Sequence, residues 1–175
     1  MGVSRGTCSA KFLFLLDSAF ANPEIDLPMK MRGEKFMWYE ITSDKELQLF
    51  LREIWFFHDS CIKGLTYISG AYVNDDLSMH PINDVRRLSM LLQRQNSNLS
   101  TIELEFSGLN YLKLYPVDEA YTCEILDAAM FFRDGWIYWC DDGDVSEEEL
   151  DDYEGTLICA SKCRWRPVDE NVGTA

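Results

Sequence analysis

The chain has 175 residues, 47% of them hydrophobic and 13% aromatic, and a formal net charge of −14. The length suits one domain with a real core, and the composition sets disorder aside as the default state. The acidic balance excludes a general nucleic-acid binder. Neutralising a phosphate backbone takes a basic stripe, and none is visible: Arg86-Arg87 and Arg164-x-Arg166 are too short.

The charge is uneven. Residues 1–36 carry five basic and four acidic side chains, whereas residues 37–175 carry 11 basic and 26 acidic. Such a surface attracts a basic partner or serves solubility. Six cysteines, at positions 8, 61, 123, 140, 159 and 163, are too sparse for a disulfide scaffold. They read as reduced thiols, mostly buried, in a cytoplasmic protein.

Residues 1–36 differ from the rest. The apolar run Phe12-Leu-Phe-Leu-Leu16 stops at Asp17, short of the apolar core of an export signal, although Ala19-Phe-Ala21 has the look of a cleavage site. No stretch approaches the ~20 apolar residues of a membrane span, so no membrane is expected. Asn22-Pro23 and Leu27-Pro28 break helices. This segment is expected to be a loosely held extension or linker. The globular domain is expected over 37–168 and a polar tail over 169–175.

Ser43-Asp-Lys-Glu46 is a capping box, and Leu47, Phe50, Leu51 and Ile54 follow at helical spacing, which predicts an amphipathic helix over 44–55. After His58 the period changes to two. Residues 61–73 read as a strand with Gly64 and Gly70 as bends, and Asn74-Asp-Asp76 as a turn. Residues 87–93 alternate as a second strand. Ile102, Leu104 and Phe106 alternate with the acidic Glu103 and Glu105, which are expected to face solvent; Ser107-Gly108 is expected to turn this strand into Tyr111–Tyr115. Residues 122–132 and Trp136–Cys140 flank Asp134-Gly135, a type I′ hairpin signal that pairs Arg133 with Trp136 and Ala129 with Cys140. Thr156–Trp165 is a last strand. The fold expected is α+β and β-rich: a curved, mostly antiparallel sheet of about six or seven strands with one N-terminal amphipathic helix packed on it.

The polar cluster His58-Asp59-Ser60 holds the letters of a hydrolytic triad, but contiguous residues cannot converge as a triad must, and no Gly-x-Ser-x-Gly elbow is present. The plainer reading has Asp59 and Ser60 bonding free backbone groups where helix passes to strand, with His58 on main chain or a carboxylate and losing about 1–3 kcal/mol of stability when truncated. Cys61 lacks the electropositive setting of a thiolate. Cys159-x-x-x-Cys163 lacks a second close ligand pair, so no metal or other cofactor is expected. The tract Asp141-Asp142-Gly-Asp144-Val-Ser-Glu147-Glu148-Glu149-Leu-Asp151-Asp152 fails the calcium-loop pattern at its glycine and its final glutamate. It reads as an exposed loop or short helix capped by Ser146, with its eight carboxylates free to meet a partner.

Phe57-His-Asp-Ser60 leading into a β-meander after a short helix resembles small uncharacterised bacterial families, some of them immunity-type proteins of toxin–immunity systems. The resemblance covers four residues and the strand layout of 54–140. It implies a cytoplasmic, non-enzymatic bacterial protein. Three functions compete on these grounds: an immunity-like binding module that docks a basic protein on its acidic surface, a small hydrolase using His58, Asp59 and His80, and a structural domain without a small-molecule ligand.

Overall fold

The computed structural model describes residues 37–95 and 99–168; the expected extension 1–36 and tail 169–175 lie outside them. The elements are β1 (Tyr39–Ile41), α1 (Asp44–Glu53), β2 (Ser60–Ile68), β3 (Tyr72–Val73), β4 (Met79–His80), β5 (Arg87–Arg94), β6 (Thr101–Lys113), β7 (Ala129–Arg133), β8 (Trp136–Cys140) and β9 (Leu157–Pro167). Short 3-10 turns occupy Trp55–Phe57 and Leu150–Asp152.

The helix starts where the sequence places it. Ser43 Oγ accepts from the Glu46 amide at 3.3 Å. The reciprocal arm differs by one residue: the Glu46 carboxylate accepts from the Thr42 amide at 2.8 Å and the Thr42 hydroxyl at 2.7 Å. The Thr42 hydroxyl leads the contacts that lower the Glu46 pKa. Leu47, Phe50 and Leu51 are buried in the main core. Phe50 packs on Trp165 of β9 with ring centroids 5.0 Å apart.

Seven strands form one antiparallel sheet in the order β2-β5-β6-β9-β8-β7, with β1 also pairing β9. β9 is central. One edge takes β6 along its whole length; the other takes β8 over Leu157–Ala160 and β1 over Cys163–Trp165. The sheet is open but curves, because Ser60 at one end and Ile125, just ahead of β7 at the other, exchange backbone bonds of 3.2 and 2.8 Å. The concave face holds Leu88, Met90, Leu92, Ile102, Leu104, Phe106, Ile137, Trp139 and Ile158, all fully buried.

Strict alternation makes β5 the clearest strand: Leu88, Met90, Leu92 and Arg94 are buried, and the residues between them are half-buried. The Asp134-Gly135 hairpin has the expected register, and both turn residues take positive φ (53° and 80°), as a type I′ turn requires.

Three expectations fail for local reasons. Ser107-Gly108 does not end a strand. Gly108 takes φ +62° and sits so close to β9 that a Cβ there would lie 2.2 Å from Ser161 Oγ, so β6 runs on as one strand with an irregular register. Residues 122–128 make no strand beyond the single bridge at Ile125, because side chains compete for the backbone. Thr122 Oγ1 accepts from the Glu124 amide at 3.1 Å, and Asp118 Oδ1 from the Ala120 amide at 2.9 Å. The stretch 61–73 breaks at Ser69-Gly70. Gly70 takes φ +104°, Ser69 O accepts from the Val85 and Arg86 amides, and β3 pairs with β4 in a separate two-stranded ribbon.

Candidate functional site

The stretch from α1 into β2 is the most strained backbone described. Trp55, Phe56, Phe57 and Asp59 take φ of 52°, 51°, 67° and 54°. Bulky side chains avoid this left-handed region at a cost of about 1–2 kcal/mol per residue, so surrounding contacts must impose it. Two bonds close the turn, Phe57 N–H to Ile54 O at 3.2 Å and His58 N–H to Trp55 O at 2.8 Å. The anchor is Phe57, fully buried and edge-on to Phe50 and Trp139 at 5.8 and 6.0 Å. A second clamp is the Ala128 amide, which donates to Phe56 O at 2.9 Å. The result is an outward presentation of large apolar groups: Trp55 is 66% exposed, Phe56 45% and Leu126 64%.

The three polar residues of the sequence cluster divide. Ser60 is buried and its hydroxyl donates to Phe57 O at 2.5 Å, a backbone-tying role. His58 is exposed and Asp59 half-buried, and the two are partners, Nδ1 to Oδ1 at 3.0 Å. His58 thus meets a carboxylate, as expected, but from an exposed position, so its contribution to stability falls below the range of about 1–3 kcal/mol. His58→Ala should cost less than about 1 kcal/mol, as exposed pairs do, whereas Ser60→Ala should cost about 1–3 kcal/mol by stranding a buried carbonyl; urea denaturation of the two variants checks the order.

His80 does not join them. It pairs with Tyr72 in the ribbon beyond the far end of β2, stacks on that ring at 4.9 Å and lies 3.6 Å from Asp84. β2 alone spans roughly 25 Å between the two histidines. The hydrolase constellation of His58, Asp59 and His80 is not assembled.

Beside the turn lies a cleft of about 390 Å³ lined by Asp59, Ser60, Cys61, Gln93, Arg94, Gln95, Thr122, Cys123 and Glu124. Its buried cation is already used. Arg94 donates from one terminal nitrogen to Ile54 O at 2.6 Å and from the other to Leu99 O at 3.2 Å. It caps the carbonyl end of α1, where a cation is favourable. Burial lowers its pKa, and nearby Glu53 opposes the shift. Cys61 is half-buried at the cleft rather than in the core. Among the described residues, no group of three or more His, Cys, Asp or Glu is arranged to hold a metal ion.

The convex face of the sheet carries a polar network that sequence reasoning missed. Glu103 and Glu105 are not solvent-facing carboxylates. Glu103 accepts from Arg166 Nε and Nη2 at 2.8 and 2.6 Å, and Glu105 from Arg164 Nε at 3.0 Å. Trp38 stacks on both guanidinium groups at 4.4 Å. The available signal was two strands with like charges at i, i+2 and opposite sign. The network pairs two cations with two carboxylates, so the net negative balance of the chain falls on the rest of its surface.

The acidic tract folds over the other half of this face. Leu150 is 3% exposed against Cys140 and Leu157, with Val145 and Tyr153 packed beside it. Asp141 is half-buried and accepts from Tyr153 Oη at 2.6 Å and the Thr156 amide at 2.9 Å. Asp142, Asp144, Glu147, Glu148, Glu149, Asp151 and Asp152 are exposed. Ser146 does not cap with its own oxygen; instead its amide and hydroxyl donate to the Glu149 carboxylate at 3.0 and 2.8 Å. Cys163 enters the main core with Ala160, while Cys159, buried but outside that core, meets Asn110 at 3.7 Å.

No protein-family description, curated protein or solved structure matches this chain. No helix among the described residues is long and apolar enough to cross a membrane.

Proposed function

We propose that this protein is a non-enzymatic binding module for a basic protein partner. The observation that carries the reading is the left-handed turn. It spends backbone strain to hold Trp55 and Phe56 outward, with Phe56 O bonded to the segment that carries the exposed Leu126, and the carboxylates nearest to these three along the sequence are Glu53, Asp59, Glu124 and Asp127. An aromatic centre within a charged rim is the anatomy of a protein-binding hot spot, and the sign of the rim selects a basic partner. The tract 141–152 would add long-range attraction. Immunity-type bacterial proteins are modules of this kind, and a cytoplasmic setting agrees with the free thiols.

The test separates contact from steering. The immobilised chain should capture a basic protein from a lysate of the source organism. Trp55→Ser with Phe56→Ser should weaken that complex at least thirtyfold, mainly through faster dissociation. Neutralising Glu147, Glu148, Glu149, Asp151 and Asp152 to Gln or Asn should instead slow association and flatten its salt dependence, since charges act over about 8 Å at physiological ionic strength. A partner bound equally well by the Trp55/Phe56 variant would overturn this assignment.

A further inference from the structure

Of the five cysteines among the described residues, Cys140, Cys159 and Cys163 are buried, Cys61 is half-buried and Cys123 is exposed. The two that are not buried line the same cleft beside the left-handed turn. The backbone explains why they meet. Ser60 and Ile125 exchange bonds of 3.2 and 2.8 Å, so they are a directly opposed antiparallel pair, with Cα atoms ~5.5 Å apart. Cys61 follows Ser60 and Cys123 lies two residues before Ile125, so both fall on the same side of that bridge, one residue out of step. At ~3.4 Å per residue this offset leaves their Cα atoms roughly 6 Å apart. Disulfides span about 4.4–6.8 Å between Cα atoms. A regular ladder would point the two side chains to opposite faces. The ladder is not regular here: Thr122 Oγ1 accepts from the Glu124 amide at 3.1 Å, which folds the chain about Cys123 and brings it to the cleft that Cys61 lines.

We infer that Cys61 and Cys123 are a redox pair that closes to an intramolecular disulfide, with a low-molecular-weight disulfide such as glutathione disulfide as the oxidant. Cys123, the exposed thiol, gives up its proton, and its sulfur attacks one sulfur of the oxidant. One glutathione leaves as thiolate and takes up a proton. Cys61, deprotonated in turn, attacks the Cys123 sulfur of the mixed disulfide and releases the second glutathione. Two cysteine thiols lose two electrons, and one glutathione disulfide is reduced to two thiols. The new bond joins the two segments that hold the turn. On one side Ser60 ties Phe57 O, and on the other the Ala128 amide ties Phe56 O. Closing the pair fastens the start of β2 to residues 122–128 and locks the turn in its outward presentation.

The test brings the full, native chain to equilibrium with glutathione disulfide, quenches it in acid and maps its peptides by mass spectrometry. Two of the six thiols should be lost, and the cross-linked peptide should join Cys61 to Cys123. Excess reduced glutathione should reverse the bond. Cys61→Ser should stop at the mixed disulfide on Cys123, and Cys123→Ser should form no bond at all. Hydrogen exchange at the Ser60, Ile125 and Ala128 amides should slow roughly tenfold in the oxidised chain, because the opening that frees them is restrained. Six thiols still free, a bond that joins either residue to Cys8 or to a second chain, or a closed bond that leaves those amides as labile as before would overturn the assignment. Trp55→Ser with Phe56→Ser should oxidise like the parent chain, so these results stand apart from partner binding.

Discussion

Replacing Phe57 with Ala should cost about 3–5 kcal/mol, the usual range for a fully buried aromatic and a large share of the ~5–15 kcal/mol of a domain. Phe57 has no exposed surface and bridges two parts of the core, meeting Phe50 of α1 on one side and Trp139 of β8 on the other. It is also the one side chain that draws the left-handed turn inward. Its loss should therefore free the backbone at Trp55 and Phe56 as well as open a cavity. Phe56→Gly is the contrasting substitution. Glycine escapes a left-handed penalty of about 1–2 kcal/mol but loses up to about 1 kcal/mol through a freer unfolded chain. The net change should stay under about 1 kcal/mol. Urea unfolding of both variants checks the pair. Equal losses would show that the turn itself, rather than the Phe57 anchor, carries the stability.

The parts of the fold that were legible are those in which one strand or helix carries its own pattern. Leu88, Met90 and Leu92 alternate without interruption, and β5 follows. Asp134-Gly135 carries its turn type in two residues, and the register of β7 and β8 follows from it. Ser43 and Glu46 mark the start of α1. Features that depend on a neighbour across the sheet were not legible. Gly108 looks like any turn glycine until β9 is laid 2.2 Å from the position of its missing Cβ. Glu103 and Glu105 look solvated until Arg164, Arg166 and Trp38 are placed over them from segments about 60 residues away.

The candidate site divides along the same line. His58, Asp59 and Ser60 stood out by residue type, and Ser60 does tie the backbone. The property that marks the site is conformational: three aromatic residues in succession at positive φ, where glycine or asparagine would signal such a turn. Trp55-Phe56-Phe57 reads as a continuation of the helix stripe. Only the burial of Phe57 against Trp139, some 80 residues on, reverses the chain direction and turns Trp55 and Phe56 to solvent.

The largest response to pH should come on the alkaline side. Burial pushes the Cys140 thiol up from 9.0 to about 12, with Asp141 and Asp142 adding to the shift. Burial raises Tyr138 from 10.0 to about 12, helped by Cys159. Cys163 is raised well above 9.0 by burial, with Glu40 and Glu105 in support. Tyr153 is raised by burial and by its bond to Asp141, and Tyr111 by burial. In every case the folded chain holds a proton that the unfolded chain releases at lower pH. Between the unfolded and folded pKa values the native state binds more protons, so unfolding becomes easier as pH rises. The stability these groups contribute is complete below about pH 9 and is lost on the way to about pH 12. Two pH units above the unfolded thiol value, near pH 11, Cys140 alone accounts for roughly 3 kcal/mol. Three of the five groups, Cys140, Tyr138 and Tyr153, lie where the acidic tract packs on the sheet, so that region should loosen first. Urea midpoints should hold level from pH 7 to about 8.5 and then fall steeply. Cys140→Val, which keeps an apolar group of similar size there, should remove part of that fall and leave the neutral-pH midpoint nearly unchanged. A midpoint that is flat to pH 11 in the parent chain would mean that these protons are not held by the fold.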